Sequence, residues 1–399
     1  MVSQVRHPIW ITAAPRPGAP VFAALFAMES LSRGTMASLV PIQAYDILRD
    51  SQKVSILYTV ISLVGLGATL SIPLLIARLP RRYVYSAGAI ALVACCVCFM
   101  SNTLAGQASG QFLRVVGSGL LAITLNLYIM DHIRKTDLVR SESLRMAGST
   151  LAWAAGPFLG VWLFTRFGLF IAYGTSAIAA LLLLALFWYF RLSDNPAVAR
   201  GPSRPANPLS NIRRFIVQPR LLLAWLIAFA RSSYWSTLYV YGPILMVASG
   251  KGELAGGLLV SAGNGLMMFA LLWGRIADGG GLRRTIAVAF GGMTACLLVA
   301  GFVGEARPVL AAAMIFCGSF FCVPLDALGS AVFIRSVHSH ERAQMTSVHR
   351  TYLDFSSLLP SFVYSIILAY FGLGAVFVAL AALTAATALT TWIYVPRRM

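Results

Sequence analysis

Long apolar stretches separated by short polar loops run through the whole chain. A helix needs roughly 20 apolar residues to cross the bilayer core, and each stretch is about that long or longer. The short alternating segments of a membrane β-barrel are nearly absent. The pattern therefore predicts an all-α membrane protein with twelve transmembrane helices. The predicted segments are 21–48, 54–77, 83–101, 108–131, 143–165, 169–190, 221–248, 254–277, 285–303, 308–334, 343–370 and 373–395.

The second half of the chain nearly repeats the first at an offset of 202 residues. Pro41 corresponds to Pro243, and the loop residue Arg81 corresponds to Arg283. Each half contains six of the apolar segments. Two parallel repeats of six helices are a plan found in secondary transporters, so the chain is predicted to fold as two pseudo-symmetric six-helix bundles.

The longest polar stretch separates the two halves and predicts the domain boundaries. It is rich in Pro, Ser and Arg, which is typical of a linker. We expect an N-terminal bundle at 1–190, a linker on the cytoplasmic side at 191–220, and a C-terminal bundle at 221–399. Within the linker, 211–217 is expected to form a short amphipathic helix that lies on the membrane.

Charge supports this arrangement and indicates its orientation. Hydrophobic residues make up 58% of the chain and charged residues only 11%, with a formal net charge of +18. Of the 31 Lys and Arg residues, only five fall in the odd-numbered loops, whereas most fall in the termini and the even-numbered loops. Cytoplasmic loops collect Lys and Arg, so both termini are predicted to be cytoplasmic. The basic charge then indicates contact with membrane lipid headgroups and not with nucleic acid.

Ionisable residues inside spanning helices are costly and are functional candidates by default. Glu29 and Arg33 lie one turn apart in the first segment, and Arg350 and Asp354 have the same spacing in the eleventh. At this spacing each pair can neutralise itself. Two interpretations stay open: structural ion pairs that hold helices in register, or pairs in which a proton or a substrate competes for one member.

Further candidates lie in the seventh and tenth segments. Asp326 follows Pro324 without a cation beside it in sequence, and a carboxylate in low dielectric is a proton-site candidate. The repeat places Glu29 in register with Arg231, so these two residues are expected to face each other across a central cavity. Arg231 also begins a stretch expected to form an aromatic cavity wall, with the side chains Tyr234, Trp235 and Tyr239.

The loops after the second and eighth segments carry a recognisable motif, and through it the chain resembles the major facilitator superfamily. The family pattern G-x-x-x-D-R-x-G-R-R is partly present in PLLIARLPRR at 73–82 and better kept in GRIADGGGLRR at 274–284. The resemblance implies a cytoplasmic gate, with Asp131 as a partner for Arg78. Ala77 replaces the usual Asp in the first copy. The implied gate residues are Arg78, Arg81, Arg82, Asp131, Gly274, Asp278, Arg283 and Arg284.

Two further patterns extend the resemblance. The fourth segment is similar to the family's R-x-x-q-G-x-g motif, in which the residue corresponding to Arg114 is associated with proton transfer. The fifth segment is similar to the exporter motif G-x(6–8)-G-P-x-x-G-G, with Val161 in place of the last Gly. The resemblance implies a tight helix seal and the drug:proton antiporter branch of the bacterial inner membrane. The exporter-like residues are Gly148, Gly156, Pro157 and Gly160.

Together these features predict a secondary transporter that works by alternating access. The leading hypothesis is proton-coupled efflux of a small organic compound by a monomer without a cofactor or metal. The alternative is a proton-coupled importer of a small metabolite, for example an anionic one. In that hypothesis the counter-ions are Arg33, Arg114, Arg231 and Arg350. An enzyme is disfavoured because no nucleophile and base converge, and ATP-driven pumping is disfavoured because no P-loop of the form GxxxxGK(S/T) is present.

Overall fold

The computed structural model describes residues 18–132, 138–190, 208–269, 281–337 and 342–395, and within these ranges the chain is almost entirely helical. Two short 3₁₀ turns lie at Leu266–Phe269 and Gly304–Ala306. The helices are α1 (Ala19–Leu48), α2 (Ser51–Arg78), α3 (Arg81–Met100), α4 (Leu104–His132), α5 (Leu138–Phe167), α6 (Leu169–Tyr189), α7 (Pro208–Ile216), α8 (Pro219–Ala248), α9 (Glu253–Gly265), α10 (Leu282–Val303), α11 (Pro308–Ser336), α12 (Arg342–His349), α13 (Tyr352–Ile367) and α14 (Gly374–Tyr394).

Within the described ranges, eight helices are long and apolar enough to cross a membrane: α2 to α6, α10, α11 and α14. Helices α1 and α8 are also long enough, since 30 residues each give a length of about 45 Å. They carry Glu29, Arg33 and Arg231 together with many buried polar residues. This composition is expected of helices that line the interior of a membrane protein.

The helices follow the predicted segments closely, with two differences. In the eighth segment, α9 ends at Gly265 and passes into a 3₁₀ turn, and residues 270–280 lie outside the described ranges. The eleventh segment is two helices, because the chain breaks between His349 and Tyr352. At this break the Thr351 hydroxyl donates to the carbonyl of Val348 at 2.7 Å, a local bond that competes with helix continuation. A helix does form at the predicted amphipathic segment, as α7, although it begins at Pro208 and ends at Ile216; its position on the membrane stays a prediction.

Each half builds its own bundle. In the first half (18–190), α1 packs on α5 and α6, and α3 packs on α4. In the second half (208–395), α10 packs on α11 and α14, and α8 packs on α9, α11 and α13. The halves meet where α2 contacts α13, α5 contacts α9, and α1 contacts α8.

The closest helix contact in the first half joins α1 to α5. A Cβ atom added at Gly160 would lie 1.9 Å from the carbonyl oxygen of Thr35, and one added at Gly156 would lie 2.7 Å from the backbone of Gly34. No side chain fits between backbones at these distances. The exporter-like glycines therefore permit a direct backbone-to-backbone contact. Gly148, about two turns nearer the start of α5, approaches α1 less closely, at 3.3 Å from Ala27.

Two hydrogen bonds close the interface between the halves on the side of the odd-numbered loops, here called the outer side. The hydroxyls of Ser55 in α2 and Tyr241 in α8 lie 2.7 Å apart. The backbone N–H of Phe158 donates to the hydroxyl of Ser261 in α9 at 2.8 Å. Pro157 interrupts the hydrogen-bond ladder of α5 next to this amide. These two bonds, which we call the outer seal, hold the two bundles together at their outer ends.

Candidate functional site

An ion pair lies inside the first bundle. Arg33 Nη1 lies 3.1 Å from Glu29 Oε1, so the predicted i,i+4 pair forms. Glu29 is fully buried, whereas 31% of the Arg33 side chain is exposed. The second carboxylate oxygen of Glu29, Oε2, has no hydrogen-bond partner among the described residues. This oxygen is therefore available to hold a proton.

A second ion pair lies inside the second bundle and joins two helices. Arg231 in α8 binds Asp326 in α11 through Nη1 and Oδ1. The other oxygen of Asp326, Oδ2, accepts from the indole N–H of Trp235 at 2.8 Å. Arg231 Nη2 also donates to the hydroxyl of Tyr352 at 3.2 Å. The expectation that Asp326 is a lone acid is therefore wrong, because its partners come from another helix and sequence spacing does not reveal them.

Three aromatic rings in contact, which we call the aromatic wall, connect the two ion pairs. The guanidinium of Arg33 lies 5.8 Å from the ring centre of Trp153 in α5. Trp153 in turn lies 5.4 Å from Tyr239, and Tyr239 lies 6.1 Å from Trp235 (centroid distances). Since Trp235 binds Asp326, a continuous series of contacts runs from one ion pair to the other. Cations and flat apolar groups both bind well to such surfaces.

The repeat predicts that Glu29 and Arg231 face each other across a cavity, but in the structure each binds another residue. Each residue binds a partner within its own bundle, Arg33 for Glu29 and Asp326 for Arg231, and no ion pair joins Glu29 to Arg231 in the described ranges. The aromatic wall lies between these two ion pairs.

Tyr234 does not belong to the wall, and we correct that expectation. It is 1% exposed, and its hydroxyl donates to the carbonyl of Ile315 at 2.6 Å and lies 2.8 Å from Ser319 Oγ. Because Tyr234 and Trp235 are neighbours on a helix, their side chains point in directions about 100° apart. Tyr234 therefore packs α8 against α11.

The second predicted pair is also not formed. Arg350 is exposed at the break between α12 and α13, and Asp354 is half-buried in the first turn of α13. No ion pair connects them among the described residues, because the break between the helices removes the regular i,i+4 geometry.

The predicted gate is only partly described. Arg78 and Arg284 are exposed, and Arg81 is half-buried. Arg82 lies over the ring of Tyr83 at 4.9 Å, and Arg283 lies over Trp392 at 4.6 Å. The side chain of Asp131 and residues 270–280, with Gly274 and Asp278, lie outside the described residues. The proposed bond between Arg78 and Asp131 thus remains a prediction.

A polar cavity of about 480 Å³ opens at the outer ends of the two bundles. It is lined by residues of both halves, including Tyr45, Lys53 and Glu305. None of the predicted cavity residues lines it. We therefore treat it as an outer vestibule and look for chemistry at the ion pairs and the aromatic wall.

Several residues of the site were missed at the level of sequence. Trp153 lies inside the exporter-like pattern, where attention falls on the glycines, and Tyr352 lies between Arg350 and Asp354. Asn264, whose side-chain oxygen accepts from the hydroxyl of Tyr239 at 2.8 Å, is a polar residue in an apolar segment. What could have identified these residues from the sequence is that each is an aromatic or amide side chain within a predicted membrane-spanning segment.

Comparison with models of known protein families shows to which family the chain belongs. The model of the Major Facilitator Superfamily matches residues 22–359. The chain belongs to the major facilitator superfamily. This major facilitator protein is therefore a multi-pass membrane transporter and not an enzyme, with the fold predicted from its twelve apolar segments. No curated protein sequence matches the chain.

Solved structures support the same fold for this major facilitator protein. A POT family transporter in complex with 5-aminolevulinic acid superposes with a TM-score of 0.74 at 13% identity, covering 94% of this chain and 96% of that one. A D-xylose-proton symporter gives 0.74 at 14% identity, covering 95% and 98%. The nucleoside transporter NupG gives 0.70 at 13% identity, covering 94% and 98%. At such low identity these similarities show the fold alone.

Proposed function

We propose that this major facilitator protein is a proton-coupled secondary transporter that exports a small organic compound. The observation that carries the proposal is the pair of carboxylates, Glu29 and Asp326, each bound to an arginine and linked through the aromatic wall. The rings offer a surface to the solute, and the carboxylates offer exchangeable protons. Protons, the solute and membrane lipid are then its partners.

Glu29 is the preferred coupling residue. Its Oε1 atom is bound by Arg33, whereas Oε2 is buried without a hydrogen-bond partner among the described residues. Protonation at Oε2 would weaken the hold on Arg33, and Arg33 contacts the first ring of the wall. Proton binding would thereby change the surface offered to the solute. One proton that crosses 100 mV contributes roughly 2.3 kcal/mol, which sustains a gradient of about 50-fold.

Export from the cytoplasmic side of an inner membrane is supported by two features. The Gly156 and Gly160 contact gives the exporter-like motif the tight packing that such a motif needs. The helix ends that carry Arg78, Arg81 and Arg82 lie on the side opposite the outer seal, as expected for a chain with cytoplasmic termini. Import is the second candidate, favoured by the similarity in fold to a D-xylose-proton symporter.

The test is proton flux in proteoliposomes that contain a pH dye. A panel of lipophilic cations and organic anions is added to the wild type, to Glu29→Gln, and to Glu305→Gln as a control at an exposed acid of the outer side. Proton movement opposite to the solute, lost only in Glu29→Gln, supports antiport with Glu29 as the coupling residue. Movement in the same direction supports the importer. Solute exchange without proton movement would refute proton coupling.

A further inference from the structure

Three buried polar side chains lie together between α2 and α4. Gln111 is 2% exposed, yet its Nε2 atom has no partner among the described residues. The same holds for Nε of Arg114 and for the hydroxyl of Tyr58, whose atoms are also buried. An unsatisfied buried polar group destabilises the folded state. Gln111 and Tyr58 are neighbours that can bind each other, but neither can neutralise the guanidinium of Arg114, so a charged group from outside the chain is needed to complete the cluster.

The geometry brings these groups to one point. Gln107, Gln111 and Arg114 lie on one face of α4, and Gln107 Nε2 donates to the carbonyl of Val40 at 3.0 Å, which turns this face towards α1. Arg114 Nη2 donates to Gln111 Oε1 at 2.9 Å and fixes the orientation of the amide. Tyr58 lies beside Gln111 and within reach of the charge of Arg114.

Charge decides what kind of ligand fits. Arg33 and Arg231 each bind a carboxylate, whereas Arg114 has no acidic group within 4 Å among the described residues. A water molecule would satisfy the hydrogen bonds but leave the positive charge uncompensated within the membrane. A carboxylate or another oxyanion satisfies both, because its oxygens accept several bonds and match the planar guanidinium.

We propose that Arg114, Gln111 and Tyr58 bind an oxyanion group of the transported solute, most simply a carboxylate. The inference rests on the proposed function, since it names the substrate class of that transporter. It departs from the proton-transfer role that family resemblance implies for Arg114, which would require an acid nearby.

The position of this site relates it to the conformational cycle. Arg114 lies about 15 Å along α4 from its outer end at Leu104. Tyr58 lies one turn from Ser55, whose hydroxyl meets Tyr241 of the second half in the outer seal. An anion bound here lies directly beneath that seal, so its arrival or departure can change the contact between the bundles.

The test measures binding to the purified full-length protein by thermal unfolding. The probes are phenylacetate, its neutral isostere phenylacetamide, acetate and inorganic sulfate. We expect the unfolding temperature to rise with increasing phenylacetate or acetate and not with phenylacetamide, because a ligand that binds the folded state stabilises it. Arg114→Gln should weaken the apparent affinity about tenfold or more, and Tyr58→Phe about fivefold. Arg166→Gln, at an exposed arginine in the last turn of α5, should bind as the wild type does.

The outcomes separate this inference from the proposed function. Equal responses to the acid and the amide, no response to any probe, or an unchanged response in Arg114→Gln would overturn the site. A response to sulfate alone would overturn the proposal that the ligand is an organic carboxylate, and would indicate an inorganic oxyanion instead.

If Arg114→Gln does not fold, the test uses Tyr58→Phe and Arg114→Lys. A structural role for Arg114 would lower the unfolding temperature without ligand and leave the ligand response intact. Proton flux is measured separately. Flux without anion binding would overturn only this site, and anion binding without flux would overturn only the proposed proton coupling.

Discussion

The indole of Trp153, in the first bundle, lies against the phenol of Tyr239, in the second, with ring centroids 5.4 Å apart. Arg33 covers Trp153 on one side, and Trp235 continues the stack beyond Tyr239. Alternating access requires the two bundles to rock against one another. A ring contact across the bundles must then be broken and remade, so a solute that stacks on either ring can influence that movement.

Replacing Trp153 with alanine should lower solute-driven proton flux about tenfold, because an aromatic pair contributes about 0.5–1.5 kcal/mol beyond its buried area. Trp153→Phe should retain most of the flux, since it keeps a ring at this position. Flux in proteoliposomes is the measurement. The matched control is Trp162→Ala in the same helix, whose side chain is 37% exposed and packs on Phe167. Equal losses at both tryptophans would mean that helix packing, not the wall, is responsible.

Asp326→Asn should be markedly destabilising. It leaves Arg231 inside the bundle without its counter-charge, and breaking a buried pair costs about 3 kcal/mol or more. Combining it with Arg231→Gln should recover much of the loss, because no charge then remains unpaired. Unfolding of the two single variants and the double variant in detergent measures this. Additive losses in the double variant would argue against direct coupling between the two side chains.

Most of the fold could be predicted because membrane-spanning helices leave a strong record in sequence. The apolar runs placed helix ends such as Leu48 and Ala248 correctly, since a polar loop must begin where the bilayer ends. The interruption at Thr351 was missed, because a hydroxyl that binds its own backbone has no effect on hydropathy.

Gly160→Ala should destabilise the protein by about 3 kcal/mol or more, because the added methyl group collides with the carbonyl of Thr35 and neither backbone can move away easily. Gly174→Ala is the control, as a Cβ atom there meets nothing within 4 Å. It should be neutral or slightly stabilising, since alanine favours helix. Thermal unfolding of both variants tests the contact, and a wild-type transition for Gly160→Ala would show that α1 and α5 are further apart.

The site was harder to predict than the fold, because the sequence does not show in which direction each side chain points from its helix. The one-dimensional sequence identified Glu29 and Arg33 because their partnership is local. It could not show that Arg231 reaches Asp326 on another helix, or that Tyr234 points into the core while its neighbour faces the wall. Partners on different helices are set by how the helices pack.

This difference in direction predicts separable effects for two tyrosines of the second half. Tyr234→Phe removes a buried bond to the carbonyl of Ile315 and should lower stability by about 1–3 kcal/mol with unchanged solute KM. Tyr352→Phe removes a bond from Arg231 and should alter KM or the pH profile of flux with a smaller loss of stability. Stability and flux are both measured for each variant. The assignment fails if Tyr234→Phe changes KM more than Tyr352→Phe does.

The outer seal should control the population of the two access states. Ser261→Ala leaves the N–H of Phe158 without its partner while the bundles are in contact, whereas water can satisfy this amide once they separate. The substitution therefore penalises only the sealed state. A penalty of about 1 kcal/mol raises the population open to the outer side about fivefold. Ser261→Thr keeps a hydroxyl and should shift the population less.

Spin labels at Arg166→Cys and Arg307→Cys measure the population that is open to the outer side. Both positions are exposed on the outer side, one in each half. The six native cysteines are first replaced. Distances measured by double electron–electron resonance should then show a larger long-distance fraction in Ser261→Ala than in wild type. An unchanged distribution would mean that the amide of Phe158 finds another partner when the bundles are closed, and that the seal depends on Ser55 and Tyr241 alone.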